Sequence, residues 1–114
     1  VDDVDMQREI ATHILTRLGY SVLSFSSGEE AVVCMKHHAA HLMVLDMIMD
    51  PGMDGLDTYR EVLKHHPGQR AIVVSGFSET DRVRELKKLG VETFIKKPYL
   101  AERLGLAVRS ELDR

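Results

Sequence analysis

Leu42-Met43-Val44-Leu45-Asp46 decides the fold. A continuous apolar run of this length reads as a strand buried on both faces, as in a parallel sheet covered by helices. Its last residue is a carboxylate. A second run, Ala71-Ile72-Val73-Val74, closes on Ser75, and a third, Thr93-Phe94-Ile95-Lys96, leads into Lys97-Pro98. At the amino end Val1 precedes Asp2-Asp3. In an open parallel sheet, ligand sites form outside the carboxyl ends of the strands. These runs therefore bring three carboxylates, a hydroxyl and an ammonium to one place. Carboxylates a few ångströms apart cannot all stay ionised unaided, so the cluster calls for a hard divalent cation. With the cation in place, one carboxylate can act as a nucleophile toward phosphorus. The hydroxyl and ammonium can then hold the phosphoryl oxygens.

The segments between these runs read as helices. Met6, Ile10, Ile14 and Leu18 recur at helical spacing, with Ala11 and Leu15 beside them, until Gly19 stops the helix. Ser21-Val22-Leu23-Ser24-Phe25 reads as a strand. Ser27 and Glu30 have capping-box spacing and open a helix through Ala31, Val32 and Met35 to about His38. Asp50-Pro51-Gly52 and Asp54-Gly55 make a turn-rich loop. The next helix turns Leu56, Tyr59, Val62 and Leu63 inward and ends at Pro67-Gly68. Ser78 and Asp81 cap a helix carrying Val83, Leu86 and Leu89, stopped by Gly90. Leu104, Ala107, Val108 and Leu112 form a last stripe. Strands alternating with helices mean βαβ units and an α/β fold with a parallel sheet. Four strands and five helices are expected, with a fifth strand ahead of the first helix represented only by Val1.

The bulk numbers agree with one domain over residues 1–114. Hydrophobic content of 44% and charged content of 29% suit an ordinary globular chain. A net charge of −3, with basic residues scattered among acids, gives no nucleic-acid surface. One cysteine, Cys34, rules out an internal disulfide and reads as core. No apolar run approaches the ~18 residues of a membrane span.

Five motifs together resemble the receiver domain of two-component response regulators, over essentially the whole chain. They are Val1-Asp2-Asp3, Val44-Leu45-Asp46-Met47, Pro51-Gly52-Met53-Asp54-Gly55, Val74-Ser75-Gly76 and Lys97-Pro98-Tyr99. Each is weak alone; all five in order, at strand ends or in the loops after them, are specific. The resemblance implies a flavodoxin-like, doubly wound parallel sheet of five strands in the order 2-1-3-4-5. It also implies roles. Asp46 would accept a phosphoryl group. Asp3 would bind Mg²⁺ directly, Asp2 would hold a metal-bound water or assist, and the backbone carbonyl of Ile48 would add another metal oxygen. Ser75 would donate its hydroxyl to the phosphoryl group and Lys97 would pair with it. Phe94 occupies the family's aromatic switch position, and plain packing is an equal reading of it. The Lys97-Pro98 bond would be cis. In the family the positions of Ile48 and Phe77 flank the path of a hydrolytic water, and their apolar bulk would imply a long-lived phosphorylated state; the alternative is that Phe77 points outward as a partner contact and leaves the path open.

Two departures stand out. The loop after Asp46 reads as one residue longer than the common pattern, with Asp50 as the insertion. The first strand is truncated; since it is central in this fold, residues ahead of Val1 are expected.

The implied function is a signalling switch, not an enzyme. A histidine kinase or histidine phosphotransfer domain would donate the phosphoryl group in the cytoplasm. The output would be a change in the last helix–strand–helix surface, residues 78–113, which could also support a homodimer. No membrane or nucleic acid contact is expected of this domain. The style of Val74-Ser75-Gly76-Phe77-Ser78-Glu79 and Lys96-Lys97-Pro98-Tyr99 resembles receivers attached to hybrid sensor kinases. An aspartyl-phosphate phosphohydrolase is an alternative, but it usually needs an acid two residues after the nucleophile, where this chain has Ile48. A phosphorylation-independent interaction module is another, and the complete polar set argues against it. His37, His38 and His65-His66 sit where helix ends favour cations, and with His41 they read as surface residues rather than a zinc site. Met43 and Met47 read as core, and Asp50 and Asp54 as turn residues.

Overall fold

β2 (Ala71–Ser75) lies at the centre of the sheet, and all its residues are buried. Its neighbours are β1 (Met43–Asp46) and β3 (Thr93–Lys96), both parallel to it, in the order β1-β2-β3. The computed structural model describes residues 1–47, 52–76, 81–97 and 99–113. Five helices surround the strands: α1 (Asp5–Arg17), α2 (Gly28–Met35), α3 (Gly55–His65), α4 (Asp81–Lys88) and α5 (Ala101–Leu112).

The alternation of side chains along β2 divides the core in two. Ala71 and Val73 face a cluster with Val32, Met35, Leu56, Tyr59, Val62 and Leu86, from α2, α3 and α4. Ile72 and Val74 face Leu15, Leu104 and Val108, from α1 and α5. Helices thus cover both faces, which is why the strands read as unbroken apolar runs. Met43 and Met47 are buried as expected, whereas Cys34 is only partly buried.

Three expectations need correction. Residues 21–25 form no strand, and among the described residues the sheet has three strands, in the order β1-β2-β3. The physical reason is the lack of a ladder. The hydrogen bond tying this segment to the chain beside β1 is Asp2 N–H to Phe25 O, at 3.1 Å. A cleft of about 660 Å³ runs between it and β1, lined by Leu15, Val22, Leu42 and Val44 among others. Second, the buried face of α1 is not the stripe from Met6 to Leu18. Leu15 is buried and Ala11 and Ile14 pack beside it, while Met6, Ile10 and Leu18 are exposed. Third, Ser27 does cap α2, accepting from Glu30 N at 3.1 Å, but the Glu30 carboxylate accepts from Ser26 instead of closing the box.

Candidate functional site

The three strands end side by side, and their ladders place the polar residues. Asp46 ends β1 in register with Val74, and Met47 N donates to Val74 O at 2.9 Å. Ser75 ends β2 opposite Lys96, and Lys97 N donates to Ser75 O at 2.8 Å. Val1 is bound to β1 as a parallel strand residue would be. Its nitrogen donates to Val44 O at 2.7 Å and its carbonyl accepts from Asp46 N at 3.0 Å. Those two bonds carry Asp2 and Asp3 to the side of Asp46. One carboxylate oxygen from each of Asp2, Asp3 and Asp46 lies within 4.8 Å of the others. Asp46, Ser75, Lys97, Asp2 and Asp3 therefore gather at the carboxyl end of the sheet. Ile48, Phe77 and Pro98, with their expected roles, lie outside the described residues, as does Asp50.

Asp46 is 6% exposed. The Lys97 ammonium stands 3.0 Å from its Oδ2 and 3.7 Å from Asp2 Oδ2. Burial pushes the Asp46 carboxyl up; Lys97 pulls it down by hydrogen bond and charge, Asp2 and Asp3 push it up again, and the net shift is upward. The Tyr99 phenol is raised by burial first, then by Asp2 and Asp46. The site thus has an excess of negative charge in a partly dehydrated place. A hard divalent cation fits that donor set, since oxygen ligands and carboxylate charge are what such ions take. Among the described residues this is the one cluster of at least three close ligating groups, and no histidine belongs to it.

The approach of α3 to the site is set by glycine. Gly55 N donates to Met47 O at 2.8 Å, and a Cβ at Gly55 would lie 2.8 Å from the Asp46 carbonyl oxygen. That distance is too short for any side chain without backbone movement. Gly52, with φ of +102°, makes the turn before it, and Met53 N donates to Glu29 Oε1 of α2 at 3.3 Å.

Three residues have roles that the sequence reading did not assign. Gln7 of α1 accepts from the Lys97 ammonium at 2.8 Å. Asp54 is more than a turn residue: it caps α3, accepting from Asp57 N at 2.9 Å in a reciprocal capping box. Its three-residue spacing to Asp57 was a usable signal. Arg82 of α4 binds both of those carboxylates. Lys96 points outward, and Phe94 is partly buried with the Lys87 ammonium 5.6 Å from its ring centre.

The response regulator receiver domain family matches residues 1–109. The chain is 33% identical over 105 residues to the chemotaxis protein CheY of Thermotoga maritima, covering 91% of this chain and 87% of that one. It is 32% identical over 114 residues to a probable transcriptional regulator, ycf27, of Porphyridium aerugineum, covering all of this chain but 47% of that protein. A solved receiver domain, that of NtrX from Brucella abortus, superposes with a TM-score of 0.89 at 26% identity, covering 98% of this chain and 94% of that one. No helix among the described residues is long and apolar enough to cross a membrane.

Proposed function

The chain belongs to the response regulator receiver domain family, and we propose that it acts as a phosphoacceptor switch with Asp46 as the acceptor. The observation that carries this reading is the pairing of a buried strand-end carboxylate with an ammonium at 3.0 Å and two further carboxylates within 4.8 Å.

In the proposed reaction an Asp46 carboxylate oxygen attacks phosphorus. The bond from phosphorus to the donor's imidazole nitrogen breaks, and its electron pair stays on the imidazole. Asp46 must be ionised to attack, and Lys97 opposes the upward push of burial. Lys97 and the Ser75 hydroxyl then hold the phosphoryl oxygens as charge-assisted partners. Asp2, Asp3, Asp46 and the Ile48 carbonyl would hold Mg²⁺, which neutralises charge on the transferring group. The group stays on the protein, so the domain is a switch rather than a turnover enzyme. The donor is a histidine kinase or histidine phosphotransfer domain, in the cytoplasm. The readout is a shift between two conformations of the face spanning residues 78–113, which also offers a homodimer surface. This domain itself contacts neither nucleic acid nor membrane. The Val1 bonds to β1 and the Asp2 bond to Phe25 support the five-strand order, with Val1 in the place of the first strand.

The test is to incubate the protein with acetyl phosphate and Mg²⁺ and weigh it intact. Wild type should gain one phosphoryl mass and Asp46→Asn none. Asp3→Ala should need far more Mg²⁺ for the same gain. Equal labelling of Asp46→Asn and wild type would refute the assignment.

A further inference from the structure

α3 follows β1, which ends on Asp46, and α4 follows β2, which ends on Ser75; a single side chain joins the starts of the two helices. From the first turn of α4, Arg82 places Nε 2.5 Å from Asp54 Oδ2 and Nη2 3.0 Å from Asp54 Oδ1. The same Nη2 is 3.0 Å from Asp57 Oδ1. A fork on one carboxylate with a branch to a second fixes direction as well as distance, which a lysine could not do. The hydrogen bonds Arg82 donates to Asp54 raise its affinity for its proton further. The Asp54 end is rigid too. Asp54 is the N-cap, it closes a capping box with Asp57, and its carbonyl accepts from Thr58 Oγ1 at 2.8 Å. The next residue, Gly55, rests on the Asp46 backbone. A continuous path of close contacts thus runs from α4 through Arg82, Asp54 and Gly55 to Asp46.

We infer that Arg82 is a positioning residue: its fork ties the starts of α3 and α4 together and restrains the site against accepting a phosphoryl group. The inference rests on the reading of Asp46 as acceptor. A phosphoryl group adds bulk and charge at Asp46, against which the start of α3 is seated through Gly55. Accommodating it calls for a shift of α3 relative to α4, and a tie between the two helix starts opposes that movement. A contact made more strongly before the change than after it slows the change by that difference. Arg82 is suited to this role because α4 does not depend on it for attachment. Val83 and Leu86 are buried in the core, and Arg60 pairs with Glu85 at 3.5 Å between the same two helices.

The experiment measures the rate of phosphoryl mass gain from acetyl phosphate at saturating Mg²⁺ for wild type, Arg82→Ala, Arg82→Lys and Asp54→Asn. Asparagine keeps a capping oxygen while removing the charge. Arg82→Ala and Asp54→Asn should each label about fivefold faster, at the low end of coupling between protein sites. Arg82→Lys should fall between them and wild type. The double variant Arg82→Ala/Asp54→Asn should be no faster than either single, because one tie is broken once. If Arg82→Ala labels at the wild-type rate or slower, the restraint does not exist, even if its melting temperature drops. If wild type itself gains no phosphoryl mass, the acceptor reading fails and the restraint falls with it.

Discussion

Gly55 sits so close to Asp46 that a Cβ on it would lie 2.8 Å from the Asp46 carbonyl oxygen and 3.0 Å from the Met47 Cα. Both are backbone atoms with little room to move. Gly55→Ala therefore sets two effects against each other. Alanine gains at most about 1 kcal/mol of helix propensity, less at a first-turn position. Overpacking against backbone costs roughly 1–3 kcal/mol. The variant should be less stable than wild type in urea, and it should take up phosphoryl groups more slowly. Increased stability would show that α3 is not seated on Asp46.

Lys97 holds Asp46 and is held by Gln7. In Lys97→Ala the Asp46 carboxyl should titrate higher still, since a favourable charge is lost and burial remains. Labelling from acetyl phosphate should fall by roughly 10²-fold, as when a preorganised donor to a developing anion is lost. Mg²⁺ affinity measured by calorimetry should not fall, because a competing cation has been removed from the cluster. Gln7→Leu should lower labelling by a smaller factor. A Gln7→Leu rate equal to wild type would mean that the 2.8 Å bond does not orient the ammonium.

The Arg82 clasp also has a pH signature. Burial raises the Asp54 carboxyl, but hydrogen bonds from Arg82 and Asp57 outweigh it and leave it below the ordinary range. Folded Asp54 therefore binds a proton less readily than unfolded Asp54. The stability it contributes is complete above the ordinary carboxylate range and disappears as pH falls through the folded value. The pair is partly exposed, so Arg82→Ala should cost only about 0.5–1 kcal/mol at neutral pH. That difference should shrink below about pH 4. Parallel urea curves for the two proteins across this range check it; a gap that widens on acidification would contradict the assignment.

The parallel α/β class could be read from the sequence because its cause is local. Leu42 to Leu45 and Ala71 to Val74 are apolar at consecutive positions, and only a doubly covered strand requires that. The acidic cluster followed from strand ends alone. Residues 21–25 misled because strand composition is not pairing, and the segment gains one backbone bond to its neighbour. The α1 stripe misled because helical spacing is not burial: Met6 and Ile10 stay exposed, and Leu18 reaches Gly105 of α5 and is also exposed, while Leu15 packs with Leu104 and Val108. Gln7 and Arg82 carry no local signal. Their roles come from contacts 90 and 28 residues away in sequence, which only the fold creates.

A lifetime prediction comes from the sequence. Hydrolysis of an acyl phosphate needs a water in line with the departing carboxylate. By family resemblance Ile48 and Phe77 flank that path, and neither side chain can hydrogen-bond a water. The phosphorylated protein should decay slowly after donor removal, and Ile48→Asn/Phe77→Glu should decay faster. Equal decay in the two would show that these side chains do not control the water.

The central claim is that Asp46 carries the phosphoryl group, and borohydride trapping tests it most directly. An acyl phosphate is reduced by borohydride to an alcohol, whereas a free carboxylate is not. The protein is treated with acetyl phosphate and Mg²⁺, reduced, digested, and the peptides are sequenced by mass. The account predicts one reduced side chain, at position 46, and none when Mg²⁺ is withheld. Reduction at Asp2, Asp3 or another carboxyl, with Asp46 intact, would contradict it.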